Sequence, residues 1–155
     1  MSVERSAAVA LGIIAIVCIV GLVVIVGGRF VGLGTPSSED IVLAFEEQGL
    51  EVGDYYPVEQ ELDWNKSVVP KTYEEGTRFE IPSLGKDSGG RVFVFEDQED
   101  LEVMRDYYES VEEMPIFGPS LHSHLYTDGL VLLQINGQLP KTQADRYGEV
   151  LQDEV

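Results

Sequence analysis

Hydrophobic and polar positions divide the chain into two parts with different patterns. From Ala7 to Val26 it reads AAVALGIIAIVCIVGLVVIV, twenty residues without a charge. A helix rises about 1.5 Å per residue, so this run would reach roughly 30 Å, the thickness of a bilayer's hydrocarbon core. The pattern predicts a transmembrane helix over Ala7–Val26, continued to residue 28. Residues 1–6 then form a short tail and residues 29–37 a glycine-rich flexible linker. From Ser38 onward short periods replace the continuous run, and 38–155 reads as one domain.

Within that domain the periods alternate between helix and strand. Ser37 or Ser38 can cap a helix over about Ser38–Gln48, with Ile41, Ala44 and Phe45 on one face and Gly49 at its end. Tyr55–Val58 reads as a short edge strand. The stretch between it and Gly76 is irregular, with Leu62-Asp63-Trp64 and Ser67-Val68-Val69 as apolar islands and a glycosylation-type triplet at Asn65-Lys66-Ser67. Thr77–Ile81 alternates, with Phe79 and Ile81 on one side. Arg91–Phe95 is apolar on both faces, as a central strand would be. Asp97 can cap a second helix whose inner stripe is Leu101, Met104, Tyr108 and Val111. Asp128-Gly129 between two apolar runs predicts a hairpin. Pro140 opens a last helix with Ala144, Tyr147 and Leu151 inward.

These elements predict an α+β class: an N-terminal transmembrane helix, then one small domain with an antiparallel sheet and about three helices on one of its faces. A ferredoxin-like arrangement is one of the candidates.

Charge changes the picture. Of 10 Lys and Arg and 28 Asp and Glu, only Arg5, Arg29 and Glu4 fall in the first 35 residues. The rest holds 8 basic and 27 acidic residues, a net of −19. Such a domain repels phosphate backbones and anionic head groups, which argues against nucleic-acid binding. It favours cations or a basic protein partner, and it suits a salty medium. The single cysteine, Cys18, lies inside the apolar run, so the domain has no disulfide or thiolate chemistry.

The run exceeds the 7–15 residues of a cleaved signal peptide, and no clear A-x-A site follows it. Cys18 lacks the small residues expected before a lipidated cysteine. An uncleaved single-pass anchor fits best. Arg5 and Arg29 nearly tie in the positive-inside comparison. A short tail before the span favours the tail inside and the domain outside the cell membrane.

Candidate chemistry is sparse. His122 and His124 sit two apart, which puts both on one face of a strand. With Asp128 they could form a His₂-carboxylate metal site of the kind zinc uses. Ser120 and Ser123 lie beside His122, but no GxSxG motif is present. The loop Gly85–Gly90 lacks the spacing of a phosphate-binding loop. Arg78 or Arg91 could anchor an anionic ligand. Tyr55, Tyr56, Trp64, Tyr73 and Tyr126 could form an aromatic binding surface. Nothing here points to catalysis or to a cofactor.

In Gly89-Gly90-Arg91-Val92-Phe93-Val94-Phe95, the second helix, and Leu133–Pro140, the chain resembles an uncharacterised group of small bacterial envelope proteins, membrane-anchored or lipoprotein-like. The resemblance implies a bacterial, extracytoplasmic setting and carries no activity. This chain departs from the group in having a plain apolar helix where a lipidated cysteine would stand. The expected function is a membrane-anchored acidic interaction or sensing module, with an extracytoplasmic cation-binding domain as the alternative.

Overall fold

The computed structural model describes residues 25–26, 29–30, 35–60, 69–113 and 122–155. The expected membrane helix Ala7–Val26 lies outside them except at its end, as does the triplet at Asn65. That end is extended: Ile25–Val26 (β1) pairs antiparallel with Arg29–Phe30 (β2), where a helix end and a linker were expected. Among the described residues no helix is long and apolar enough to cross a membrane.

Thr35–Val155 forms a separate compact unit. It begins with helix α1, Ser38–Glu47, whose first turn is closed by the Ser37 hydroxyl accepting the Asp40 N–H at 3.1 Å. The strands follow as β3 (Tyr55–Pro57), β4 (Glu75–Glu80) and β5 (Gly89–Val94). Helix α2, Gln98–Glu112, is capped by Asp97. Then come β6 (Ser123–Asp128), β7 (Val131–Asn136) and helix α3, Lys141–Glu154. The strands join in one antiparallel sheet in the order β3-β4-β5-β7-β6. The fold is therefore α+β, with a five-stranded antiparallel sheet and three helices.

Two expectations are corrected here. The helices do not share one face. Helices α1 and α3 cover Phe79, Ile81, Val92, Val94, Val131, Leu133 and Ile135. Helix α2 lies on the other side, over Phe93, Phe95 and Leu132. The reason is the two-sided apolarity of β5 and β7, which leaves both faces in need of cover. Nor is the arrangement ferredoxin-like. That fold runs β-α-β-β-α-β, whereas here three consecutive strands precede α2 and a helix stands at each end. One split unit remains: β5 and β6 run parallel, joined through α2, with β7 inserted between them.

Local differences have local causes. Strand β5 begins at Gly89, inside the expected loop, because glycine permits a closer approach to β4 than any side chain would. A Cβ at Gly89 would lie 2.0 Å from the Phe79 carbonyl oxygen. In the hairpin, Asp128 is the last ladder residue, opposite Val131, so the loop is Gly129-Leu130 and not Asp128-Gly129. Gly129, at φ +51°, supplies the positive φ at the first loop position that two-residue hairpins favour. Of the stripe on α2, Leu101, Met104 and Tyr108 are buried, while Val111 is only half-buried.

The α1/α3 core is tied by Tyr147, whose ring meets Phe45 edge-on at 5.2 Å and Phe79 at 5.9 Å. Its hydroxyl donates to the Glu51 carbonyl at 2.8 Å. Burial first, then the Glu51 charge, pushes its pKa up to about 12. The unfolded phenol titrates near 10. The contribution of the protonated phenol is thus fully present below about pH 10 and lost as pH rises through the folded value. Urea midpoints taken from about pH 8 to about pH 11.5 should fall in the parent protein. Tyr147→Phe should start about 1 kcal/mol lower and fall less steeply. Parallel curves would mean that Tyr147 does not drive the alkaline loss.

Candidate functional site

The histidines converge as their spacing predicts. His122 precedes β6 and His124 lies within it, and their rings meet edge-to-face with centroids 5.0 Å apart. Their other contacts are structural. His122 Nδ1 lies 2.5 Å from Glu112 Oε1, joining the last turn of α2 to the start of β6. His124 Nε2 donates to the Leu139 carbonyl at 2.8 Å, which puts the proton of a neutral ring on that nitrogen. Gly137 packs against His122, where a Cβ would lie 2.5 Å from the ring.

Asp128 does not join them. It ends β6, four residues beyond His124, and strand rise makes that roughly 13 Å. Sequence proximity suggested one site, but an extended strand carries the carboxylate away. The carboxylate that does reach His122 is Glu112, which is distant in sequence. Among the described residues no group of three or more His, Cys, Asp or Glu is placed to hold a metal ion.

The serine–histidine pairing also separates. Ser123 lies on the α2 side of the sheet, where its hydroxyl accepts from Gln134 Nε2 at 3.0 Å. His122 is on the alternate side, and Ser120 lies outside the described residues. The tyrosines divide between faces as well. Tyr56 is on the α2 side, next to Arg78, and Tyr73 packs against Phe93 with tilted rings, centroids 5.1 Å apart. Tyr126 is on the α3 side, donating to Asp145 Oδ1 at 2.8 Å. Tyr55 faces away from Tyr56, and Trp64 lies outside the described residues. Among the described residues these tyrosines therefore form no single continuous surface.

Two features of charge emerge instead. The first is a polar row on the α2 side of the sheet. Tyr56, Arg78, Arg91 and Gln134 stand opposite one another in register across β3, β4, β5 and β7. The next row along these strands is Gly76, Phe93 and Leu132, which belongs to the apolar core under α2. Strand alternation alone could have placed both arginines on one face. Only the register makes them direct neighbours.

The second is the outer surface of the helices. Helix α1 carries Glu39, Asp40, Glu46 and Glu47 exposed, and no basic residue. Helix α2 exposes Glu99, Asp106, Glu109 and Glu112, and its one base, Arg105, is bridged to Glu102 at 2.7 Å and Glu109 at 3.4 Å. In none of the three helices does a basic residue occupy the last turn, where it would offset the negative end of the dipole. Helix α3 carries one exposed pair that reaches the sheet. Asp145 accepts from Lys141 Nζ at 2.6 Å and from Tyr126. Those two hydrogen bonds hold its carboxyl below the usual carboxylate range.

Comparison with protein-family models, with curated proteins and with solved structures finds no match.

Proposed function

We propose that the chain is a single-pass, membrane-anchored protein that presents an acidic α+β interaction or sensing module outside the cell membrane, with no catalytic role. The observation that carries this reading is the joining of two opposites in one chain. An uncharged run of bilayer length is followed by a domain whose first two helices expose acids almost alone among charged groups. The anchor sets the site of action. The acidic helix faces select a basic protein surface or cations as partner, and they disfavour nucleic acid and anionic lipid. The resemblance to bacterial envelope proteins points to the same side of the membrane.

Reporter fusions after Val155 test it. An exterior-active enzyme reporter is expected to be active in intact cells, with the fused protein retained in the alkali-washed membrane fraction. A bright cytoplasm-only fluorescent reporter in its place would reverse the orientation. Recovery of the fusion in the soluble fraction would remove the anchor.

The 5.0 Å approach of the two imidazoles supports a second reading, a cation bound through His122 and His124 with its other positions filled by water. The full-length protein in detergent should then gain melting temperature from Zn²⁺ or Ca²⁺ beyond that given by matched ionic strength. Equal melting temperatures would sink this reading.

A further inference from the structure

We propose that the outer edge of β6 is a docking strand for an extended basic segment of another protein, which adds to the sheet beside β6. This names the partner class and the docking element of the acidic interaction module proposed above, and it rests on that reading.

The sheet has two edges, and they differ. Strand β3 is three residues long, ends in Pro57 and passes at once into a 3₁₀ turn over Val58–Gln60. Shortness and proline both keep an edge from pairing. Strand β6 has neither. It runs six residues, Ser123–Asp128, without proline, lysine or arginine. Its register against β7 is unbroken from Ser123 opposite Asn136 to Asp128 opposite Val131, so no bulge twists it away.

Its outward backbone groups follow from the ladder. The Gly137 N–H donates to the His122 carbonyl at 2.8 Å. Bonded and non-bonded pairs alternate along antiparallel strands. His124, Tyr126 and Asp128 therefore turn their N–H and C=O toward β7, and Ser123, Leu125 and Thr127 turn theirs outward. Among the described residues no backbone group pairs with those three. In strand addition the main chain supplies affinity and the flanking side chains supply selectivity.

The flanks are acidic on both faces of the sheet. On the α2 side, Glu102, Arg105, Glu109 and Glu112 recur at three- and four-residue intervals, one stripe of the helix, and Glu112 reaches His122 at the start of β6. On the α3 side, Asp145 bonds to Tyr126 of β6, with Lys141 and Glu149 one turn to either side of it. The carboxylates of Glu102, Glu109, Glu112, Asp145 and Glu149 thus outnumber the permanent bases Arg105 and Lys141. A strand carrying Lys or Arg on both faces meets opposite charge above and below the sheet. A second copy of this chain fits less well. Antiparallel pairing of β6 with its own copy would keep α2 beside α2 and α3 beside α3, acid against acid, between domains of net −19 each.

The test uses the full chain in detergent micelles and a synthetic peptide of about eight residues alternating Lys and Val. A control peptide carries a methyl group on every backbone nitrogen, which keeps its charge and removes its donors. In the free protein the Leu125 and Thr127 amide protons are expected to exchange quickly and that of Tyr126 slowly. The Lys–Val peptide should bind saturably by fluorescence anisotropy and slow the exchange at Leu125 and Thr127. The control should bind about tenfold more weakly or worse. Thr127→Pro removes an outward N–H that β7 does not use, and Thr127→Lys sets a like charge against the peptide. Each should weaken binding about tenfold or more while the Tyr126 amide stays protected. The variants act by different routes, so misfolding of one leaves the other to decide. Equal binding of both peptides, or equal binding by parent and folded variants, overturns the edge and leaves an acidic surface that holds bases by charge alone. Absence of saturable binding also overturns it and leaves cations as the module's partner. Slow exchange at Leu125 and Thr127 in the free protein overturns it too, and its loss on dilution would identify the occupant as a second copy. None of these results alters the reporter outcome.

Discussion

Gly148→Ala is expected to destabilise the domain by about 1–3 kcal/mol, although the same change in an ordinary exposed helix adds roughly 1 kcal/mol of stability. The sign is therefore diagnostic. Gly148 is buried in α3 against β6, and a Cβ there would stand 2.4 Å from Tyr126 Cδ1 and 2.9 Å from Cε1 and Cγ. The ring has little freedom to yield, because its hydroxyl is bonded to Asp145, which also holds Lys141. Burial first, and then the Asp145 hydrogen bond and charge, raise the Tyr126 pKa well above the ordinary phenol value. A double-mutant cycle separates packing from propensity. Against a Tyr126→Ala background the obstacle is gone, and Gly148→Ala should become neutral or stabilising. A coupling energy of about 2 kcal/mol is expected from urea denaturation of the four proteins. A stabilising Gly148→Ala in the parent would show that α3 does not approach β6 this closely.

Melting temperature should rise by roughly 8 °C, or about 2 kcal/mol, when sodium chloride is raised from about 0.1 M to about 1 M. Over that interval the screening length falls from about 10 Å to about 3 Å. A typical surface gains little from this, because attractions and repulsions are screened together. Here repulsion dominates. Helix α1 ends on Glu46 and Glu47, α2 on Glu109 and Glu112, and α3 on Asp153 and Glu154, each pair near the negative end of a helix dipole. The compensating pairs described, Arg105 with Glu102 and Glu109 and Lys141 with Asp145, are exposed and worth little each. A flat melting curve series would mean that acidic groups bind counter-ions or basic partners already at low salt. Sodium chloride is the right salt for this series, since sulfate would also strengthen apolar burial.

How far the sequence reveals the fold depends on whether a feature is local. The helix starts at Ser37 and Asp97 were readable because capping is set by one side chain and the next three residues. Strand β5 was readable as central because Val92, Phe93, Val94 and Phe95 leave no polar face. The side taken by α2 was not readable. It depends on how β5 reaches β6, and the strand inserted between them, β7, is 37 residues from the end of β5. The polar row shows the same division. Arg78 and Arg91 were visible singly as possible anion contacts, but their pairing is a register property set by the whole β4–β5 hairpin. The histidine pair came from two-residue alternation, whereas Glu112 reached His122 through tertiary packing that no short pattern encodes.

The insertion of β7 between β5 and β6 has a consequence for how the chain acquires this shape. Until residues 131–136 are made, β4 and β5 can form a hairpin, but the far edge of β5 stays open. That edge belongs to a strand that is apolar on both faces at Val92, Phe93 and Val94. A nascent chain that has passed through α2 therefore carries an open template for pairing with any neighbouring strand. The β6–β7 hairpin, closed by a two-residue loop, forms quickly once synthesised and docks as a unit. Synthesis of the last quarter of the chain thus ends the interval in which two unfinished copies can pair with each other. Slow translation just after α2 would lengthen that interval and raise the yield of aggregates without altering the finished protein.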